Sequence, residues 1–162
     1  MKKWMLVMAV SVLLAGCGAE ETFETVSDVY AAPVSVQTKE ISVSLPMEAA
    51  APAVEGDSGR IYLCEDYEIT VQTMDAGNLD ASVRSVCGYG RDDLTIMETA
   101  SDQLKRYEFV WASVGETGDR VGRAAILDDG IHHYVLSVLG DEESAEEHSA
   151  VWQDMFRSFS VS

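Results

Sequence analysis

The sequence predicts an α+β fold, an antiparallel sheet of about six strands with two helices, and three patterns in residues 36–162 support it. Apolar side chains alternate with polar ones along several segments, which is typical of half-buried strands. Two other segments carry their apolar residues at helical spacing. The dipeptide Asp129-Gly130 stands between two apolar runs, which is a strong hairpin signal. A segment of this length is sufficient for one hydrophobic core.

Several segments show the apolar patterns of strands. Pro46 ends the first of them, and a bend is expected near Glu65 and Asp66 in the second. The last segment is apolar on both parities, which predicts a central strand covered on both faces. The chain between the first two segments is predicted to be turn and loop. The predicted strands are 36–45, 61–73, 94–99, 105–114, 121–127 and 131–139.

Two segments predict helices, one in the middle of the domain and one near its end. Residues 79–87 form the first, with Asn78 as the expected N-cap and Gly88 as the stop. The second follows Asp141 or Ser144, either of which can cap it, and Ser144 together with Glu147 matches a capping box. The residues that recur at helical spacing in the second helix are His148, Val151, Trp152, Met155, Phe156 and Phe159.

The aromatic residues are expected to form the core between sheet and helix. Tyr107, Phe109 and Trp111 alternate with Arg106 and Glu108 along one predicted strand. They are expected to face the aromatic residues of the second helix, and a binding groove lined by some of these rings is the alternative. The two helices then cover one face each, or both cover the same face of the sheet.

The amino-terminal residues have the order of an export signal. Lys2 and Lys3 precede an apolar run, residues 4–15, that is too short to span a bilayer, because a spanning helix needs about 20 apolar residues. The run ends in Leu14-Ala15-Gly16-Cys17, which resembles the lipobox of bacterial lipoproteins. The resemblance implies cleavage between Gly16 and Cys17, a diacylglyceryl group on the Cys17 sulfur, and a fatty acid such as palmitate on the new amino terminus.

Three regions follow from this resemblance. Residues 1–16 are expected to be a signal peptide, and residues 17–35 the lipidated cysteine with a flexible acidic tether. Residues 36–162 are expected to be a single domain on the extracytoplasmic face of a bacterial cell membrane. Two or more fatty chains anchor a protein stably, whereas one gives only marginal binding.

The composition is strongly acidic, with 11 Lys and Arg residues against 28 Asp and Glu and a net charge of −17. Loss of Lys2 and Lys3 with the signal would bring the mature chain to −19. Such a surface repels phosphate groups, which argues against nucleic acid as a partner. It also repels anionic lipid headgroups, so the lipid anchor is the expected contact with the membrane. Most of the charge is expected to be solvated surface, and part of it suits an envelope protein partner with a basic face.

Two further cysteines, Cys64 and Cys87, have two open roles. An exported location permits a disulfide between them, and closing the loop of about 23 residues would contribute about 3 kcal/mol. Both also lie in apolar runs, where cysteine acts as a small hydrophobic residue.

The sequence shows no clear catalytic or metal-binding motif. His132 and His133 are adjacent on a predicted strand, so they point to opposite faces and are poorly placed to share one metal ion. No G-x-S-x-G motif occurs, and no phosphate-binding glycine loop is recognisable. We therefore expect no metal, no cofactor and no enzymatic activity.

The order of elements, the opening strand that ends in Leu45-Pro46, and the closing segments YVLSVLG and VWQDMFRSFSV resemble the PsbP-like family over residues 39–160. The resemblance implies an antiparallel sheet flanked by helices, a layered sandwich, and an accessory or binding role. The expected function is a membrane-anchored, non-catalytic binding or accessory module of the cell envelope. The alternatives are a solute-binding or transporter-associated lipoprotein and, less favoured, an envelope enzyme.

Overall fold

The computed structural model describes residues 37–101, 104–114 and 118–162, so the expected signal peptide and tether lie outside the described residues. The α+β class is confirmed. The described strands are β1 (Ile41–Ser42), β2 (Val54–Gly56), β3 (Gly59–Leu63), β4 (Tyr67–Asp75), β5 (Met97–Ser101), β6 (Leu104–Val114), β7 (Asp119–Asp128), β8 (His132–Asp141) and β9 (Ser160–Val161). The described α-helices are α1 (Leu79–Cys87), α2 (Glu142–Glu147) and α3 (Ser149–Ser158).

Seven of these strands form one antiparallel sheet in the order β2-β3-β4-β8-β7-β6-β5. β8 lies in the middle, paired with β4 on one side and β7 on the other. Its residues Tyr134, Val135 and Leu136 are fully buried, so the prediction of a central strand covered on both faces is confirmed. β1 and β9 pair separately as a short antiparallel ribbon, which fastens the beginning of the described chain to its end.

Asp129 and Gly130 lie in the turn between β7 and β8, as predicted. Gly130 has a φ of 87°, a left-handed conformation that glycine adopts without strain. The Asp128 carboxylate accepts the N–H of Gly130 at 2.7 Å, and the Asp129 carboxylate accepts the N–H groups of Ile131 at 2.9 Å and His132 at 2.7 Å. The acidic side chains therefore supply the hydrogen bonds that the reversing backbone lacks.

The strands at the other edge differ from the prediction. The bend expected at Glu65 and Asp66 is a complete reversal, because the Cys64 N–H donates to the Tyr67 carbonyl at 2.9 Å and β3 pairs antiparallel with β4. The segment expected to be loop contains β2, and the expected strand 36–45 is reduced to the two residues of β1. The sequence pattern does not show β2 because all three of its residues are exposed.

Each face of the sheet carries its own hydrophobic layer. Helix α1 covers one face, where Val83 packs with Tyr107, Phe109 and Trp111 of β6. Helix α3 covers the other face, and its buried residues pack with a separate cluster that includes Tyr67, Ile69, Tyr134, Leu136 and Val138. The expectation that the aromatic residues of β6 face those of the second helix is therefore wrong. Alternation sends the three β6 rings to one face, and the order of strands places α3 on the opposite one.

The first predicted helix is confirmed together with both of its ends. The Asn78 side chain accepts the Asp80 N–H at 2.9 Å, and Gly88 ends α1 with a φ of 81°. The second predicted helix is two helices that meet at His148. Asp141 is the N-cap of α2, because its carboxylate accepts the Ser144 N–H at 2.8 Å. The Ser144 hydroxyl donates to the same carboxylate at 2.6 Å, so the capping box expected from Ser144 is wrong.

Gly122 is the residue of β7 at which the packing leaves no room for a side chain. It pairs with Trp111 of β6, and a Cβ at this position would overlap three atoms of the indole ring. We predict that Gly122→Ala lowers the free energy of unfolding by about 1–3 kcal/mol, because overpacking forces the ring out of its site. Urea denaturation followed by circular dichroism measures this.

The control for that experiment is Gly77→Ala, because a Cβ there meets nothing within 4 Å. It should change the free energy of unfolding by less than about 0.5 kcal/mol. Equal stability of the Gly122 and Gly77 variants would show that the indole does not fill the space above Gly122.

Candidate functional site

A hollow lined by arginines lies beside helix α3 and has a volume of about 430 Å³. Three of the 11 basic residues of the chain line it. Arg106 and Glu108 alternate along β6 with the buried aromatic residues, so both side chains point to the face that α3 covers. The residues that line this arginine hollow are Arg106, Glu108, Arg123, Gln153, Phe156 and Arg157.

Glu108 holds two of the arginines in place. Its carboxylate accepts a hydrogen bond from Arg106 Nε at 2.6 Å and another from Arg123 Nη2 at 2.9 Å. Burial raises the pKa of Glu108, but the hydrogen bonds and charges of Arg106 and Arg123 outweigh it, and the pKa lies below its usual value. The carboxylate therefore stays ionised, and the three charged groups form one partly buried network.

The guanidinium of Arg106 forms hydrogen bonds with the backbone of the protein itself. Its Nη2 donates to the Phe156 carbonyl at 2.6 Å and its Nη1 to the Phe159 carbonyl at 3.2 Å. These carbonyls lie at the C-terminal end of α3, where the last C=O groups have no N–H donor within the helix and the helix dipole is negative. Arg106 therefore ties the end of α3 to the sheet, and its contribution is structural.

Arg123 and Arg157 have more N–H groups left for a ligand. Within the described residues, the hydrogen bond of the Arg123 side chain is the one to Glu108, and its guanidinium lies 4.4 Å from the centre of the Phe156 ring. Arg157 donates to Asp154 at 2.9 Å, but both side chains are largely exposed, so this pair is weak. The hollow thus combines a guanidinium held in a fixed orientation with a second one that can move.

An apolar hollow of about 300 Å³ adjoins the arginine hollow, and Glu108 and Arg123 line both. Met97 of β5 pairs with Glu108, and Val110 of β6 pairs with Arg123, so all four side chains share one face of the sheet. Met97 is 63% and Val110 61% exposed. These two apolar side chains therefore stand open to solvent next to the arginines.

Ser82, His133 and Asp128 form the arrangement closest to a catalytic one. Ser82 Oγ lies 2.7 Å from His133 Nδ1, and Asp128 Oδ2 lies 3.7 Å from His133 Nε2. A serine nucleophile has to reach its substrate, yet Ser82 is 5% and His133 2% exposed. The arrangement is a buried polar contact between α1 and the sheet, and the sequence did not reveal it because its members are far apart in the chain.

The two adjacent histidines lie on opposite faces of β8, as predicted. His133 contacts Ser82 of α1, whereas the His132 ring lies beside Tyr134, which belongs to the layer under α3. Within the part of the chain that the structure describes, no three histidine, cysteine or carboxylate side chains come together in a way that could hold a metal ion.

Cys64 and Cys87 are both free, so the candidate disulfide between them is not formed. Cys64 packs against the layer under α3 and Cys87 against the layer under α1, which places the sheet between them. Burial raises the pKa of both thiols. The second interpretation, that each acts as a small hydrophobic residue, agrees with these positions, and neither thiol is activated as a nucleophile.

Comparisons with known proteins identify the fold. No family model matches the sequence, and no curated protein matches it. Among solved structures, the chain is similar to cyanobacterial PsbP (CyanoP) from Synechocystis, with 10% sequence identity and a TM-score of 0.50. The likeness covers 79% of this chain and 96% of CyanoP. At this identity it shows the PsbP-like fold and carries no statement about activity.

The buried contact between Ser82 and His133 leads to a test of its structural role. We predict that Ser82→Ala lowers the free energy of unfolding by about 1–3 kcal/mol, because it leaves a buried ring nitrogen without a partner. Ser85→Ala is the control, since Ser85 is exposed on the same helix. Urea denaturation of both variants measures the effect, and a Ser82 variant as stable as the Ser85 variant would contradict it.

The lowered pKa of Glu108 leads to a test in acid. The unfolded chain protonates this carboxyl near 4.5, and the folded chain does so at lower pH. Unfolding therefore takes up a proton in this range, and the stability that the network provides is complete above about pH 5 and lost as pH falls through the folded pKa. We predict that Glu108→Gln lowers the free energy of unfolding by about 2 kcal/mol at pH 7, with the difference shrinking towards pH 3.

The control for the acid experiment is Glu98→Gln on the neighbouring strand. Glu98 lies 3.9 Å from Lys105, and both side chains are about half exposed, so its loss should have little effect at any pH. Both variants remove one charge from the same acidic chain, so general charge repulsion changes equally. A pH-independent difference between the native chain and the Glu108 variant would refute the linkage.

Proposed function

We propose that this chain is a bacterial lipoprotein, anchored at Cys17 to the extracytoplasmic face of the cell membrane, and that its domain is a non-catalytic binding or accessory module of the cell envelope. The observation that carries the proposal is the order of the first 17 residues: two lysines, a short apolar run, and Leu14-Ala15-Gly16-Cys17. Cleavage between Gly16 and Cys17 leaves the lipidated cysteine at the amino terminus.

The physical properties of the chain fit attachment through lipid. Among the described residues, no helix has both the length and the apolar composition that crossing a bilayer requires. Each methylene buried in the bilayer contributes about 0.8 kcal/mol, so the two chains of a diacylglyceryl group hold a protein firmly. A protein of net charge −17 gains nothing from anionic headgroups, which leaves the anchor as the contact with the membrane.

The described side chains favour binding over catalysis. Ser82 and His133 are buried, and burial disfavours the thiolate of Cys64 and Cys87. The arginine hollow, by contrast, is open to solvent and has a fixed guanidinium at Arg123. Preformed polar groups beside an apolar surface are typical of ligand sites. The PsbP-like fold, shared with CyanoP, is compatible with this role.

The anchor is tested by replacing its thiol. We predict that the native chain, expressed in a bacterium fed an alkyne-bearing palmitate, is labelled and sediments with membranes, because lipidation attaches it there. Cys17→Ser should abolish the labelling, since the acceptor sulfur is gone. Gel fluorescence after coupling a dye to the alkyne, on separated membrane and soluble fractions, measures both effects.

Cys64→Ser is the matched control, because it also removes one thiol but leaves Cys17 intact. This variant should be labelled and sediment as the native chain does. Labelling that persists in the Cys17 variant, or a native chain recovered in the soluble fraction without label, would contradict the proposed anchor.

A further inference from the structure

We infer that the arginine hollow and the apolar hollow beside it form one amphipathic site, which binds a small monocarboxylate with an apolar body. This inference rests on the proposed binding function and names the class of ligand. The carboxylate would lie against Arg123 and Arg157, and the apolar body would lie over Val110 and Met97.

The two hollows lie side by side and share two lining residues. Glu108 and Arg123 line both of them. Each of these residues has an apolar cross-strand neighbour: Met97 pairs with Glu108, and Val110 pairs with Arg123. Side chains that pair directly across an antiparallel ladder have Cβ atoms about 5 Å apart, so the charged and apolar parts lie within reach of one small molecule.

Arg123 is suited to hold the head of the ligand. Glu108 and the Phe156 ring already fix its guanidinium, so little side-chain freedom is lost on binding. A guanidinium presents its N–H groups in a fork that matches the two oxygens of a carboxylate. The Gln153 amide and the exposed Arg157 lie at the same hollow and add further donors.

The charge around the hollow favours a single negative charge. Three guanidinium groups, those of Arg106, Arg123 and Arg157, are paired with two carboxylates, those of Glu108 and Asp154. One positive charge is therefore in excess, within a chain of net charge −17. A monoanion is attracted by the local excess, and each further negative charge adds repulsion from the rest of the protein.

The apolar side of the site explains why a bare anion is not the expected ligand. Met97 and Val110 are each more than 60% exposed, although they lie beside partly buried charges. An apolar body that covers them is removed from water together with them, which favours binding. A ligand with a carboxylate and a short alkyl chain satisfies both ends at once.

The test is a titration of the mature chain, residues 17–162 carrying Cys17→Ser, which keeps every described residue. Hexanoate is the probe, acetate supplies the head alone, and hexanamide supplies the apolar body without charge. We expect hexanoate to shift the backbone amide resonances of β5, β6, β7 and α3. Its dissociation constant should be at least about fivefold below those of acetate and hexanamide, and it should rise with added NaCl.

Substitutions then assign the two ends. Arg123→Gln and Arg157→Gln should each weaken hexanoate binding about fivefold or more. The Arg157 side chain is largely exposed, so its replacement should leave the fold intact and provides the test if Arg123→Gln fails to fold. Arg60→Gln is the control, because it removes an exposed arginine paired with Glu55 on the β2-β3 hairpin.

Val110→Ser should weaken hexanoate binding while acetate binding stays unchanged. Val54→Ser is its control, since Val54 is 57% exposed on the opposite edge of the sheet. Equal affinity for hexanoate and acetate would mean that the hollow is an adventitious anion site, and it would contradict the inference. Hexanoate binding that survives Arg157→Gln and Arg123→Gln, or no binding at all, would overturn the inference.

This titration is independent of the lipid anchor, because the chain under test carries none. Failure of the Cys17 labelling with intact hexanoate binding would refute the anchor alone. Failure of hexanoate binding with intact labelling would refute the ligand class and leave the anchored module in place.

Discussion

The alternation of side chains along the two central strands is the constraint on which the rest of the structure depends. β7 and β8 are buried on both faces, so neighbouring residues such as Tyr134 and Val135 belong to different hydrophobic layers. Each layer needs a helix to exclude water from it, and the chain supplies α1 for one and α3 for the other. For the buried rings of the sheet, the layer that each one joins follows from the face to which its strand directs it.

The ionic network around Glu108 arises where this arrangement ends. On the face that α3 covers, polar residues of β6 lie beside the last turn of this helix. Charges this close to a hydrophobic layer are costly unless they are paired. Glu108 pairs both Arg106 and Arg123, and Arg106 in turn satisfies two carbonyls at the end of α3. One carboxylate thereby joins two strands and, through Arg106, the end of a helix.

The hollow beside this network brings three arginines together. The chain as a whole is strongly acidic, so a small hollow lined by three arginines is locally distinct. It borders the exposed Met97 and Val110, whose burial would remove apolar surface from water. In the anchored module that we propose, such a site would hold a small molecule rather than carry out chemistry, because the accessible groups are suited to binding and the reactive ones are buried.

The sequence by itself determined the local features: the α+β class, helix α1 with its caps at Asn78 and Gly88, the hairpin at Asp129-Gly130, and the central position of β8. Each rests on residues a few positions apart, where capping, turn chemistry and periodicity act directly. Only the tertiary structure decided the reversal between β3 and β4, the separation of the β6 rings from those of α3, and the two free cysteines. It also decided the arginine hollow, since Arg106 and Phe156 are 50 positions apart. Alternation along a strand tells which residues share a face, but which helix covers that face depends on strand order and register, which are set by contacts between distant parts of the chain.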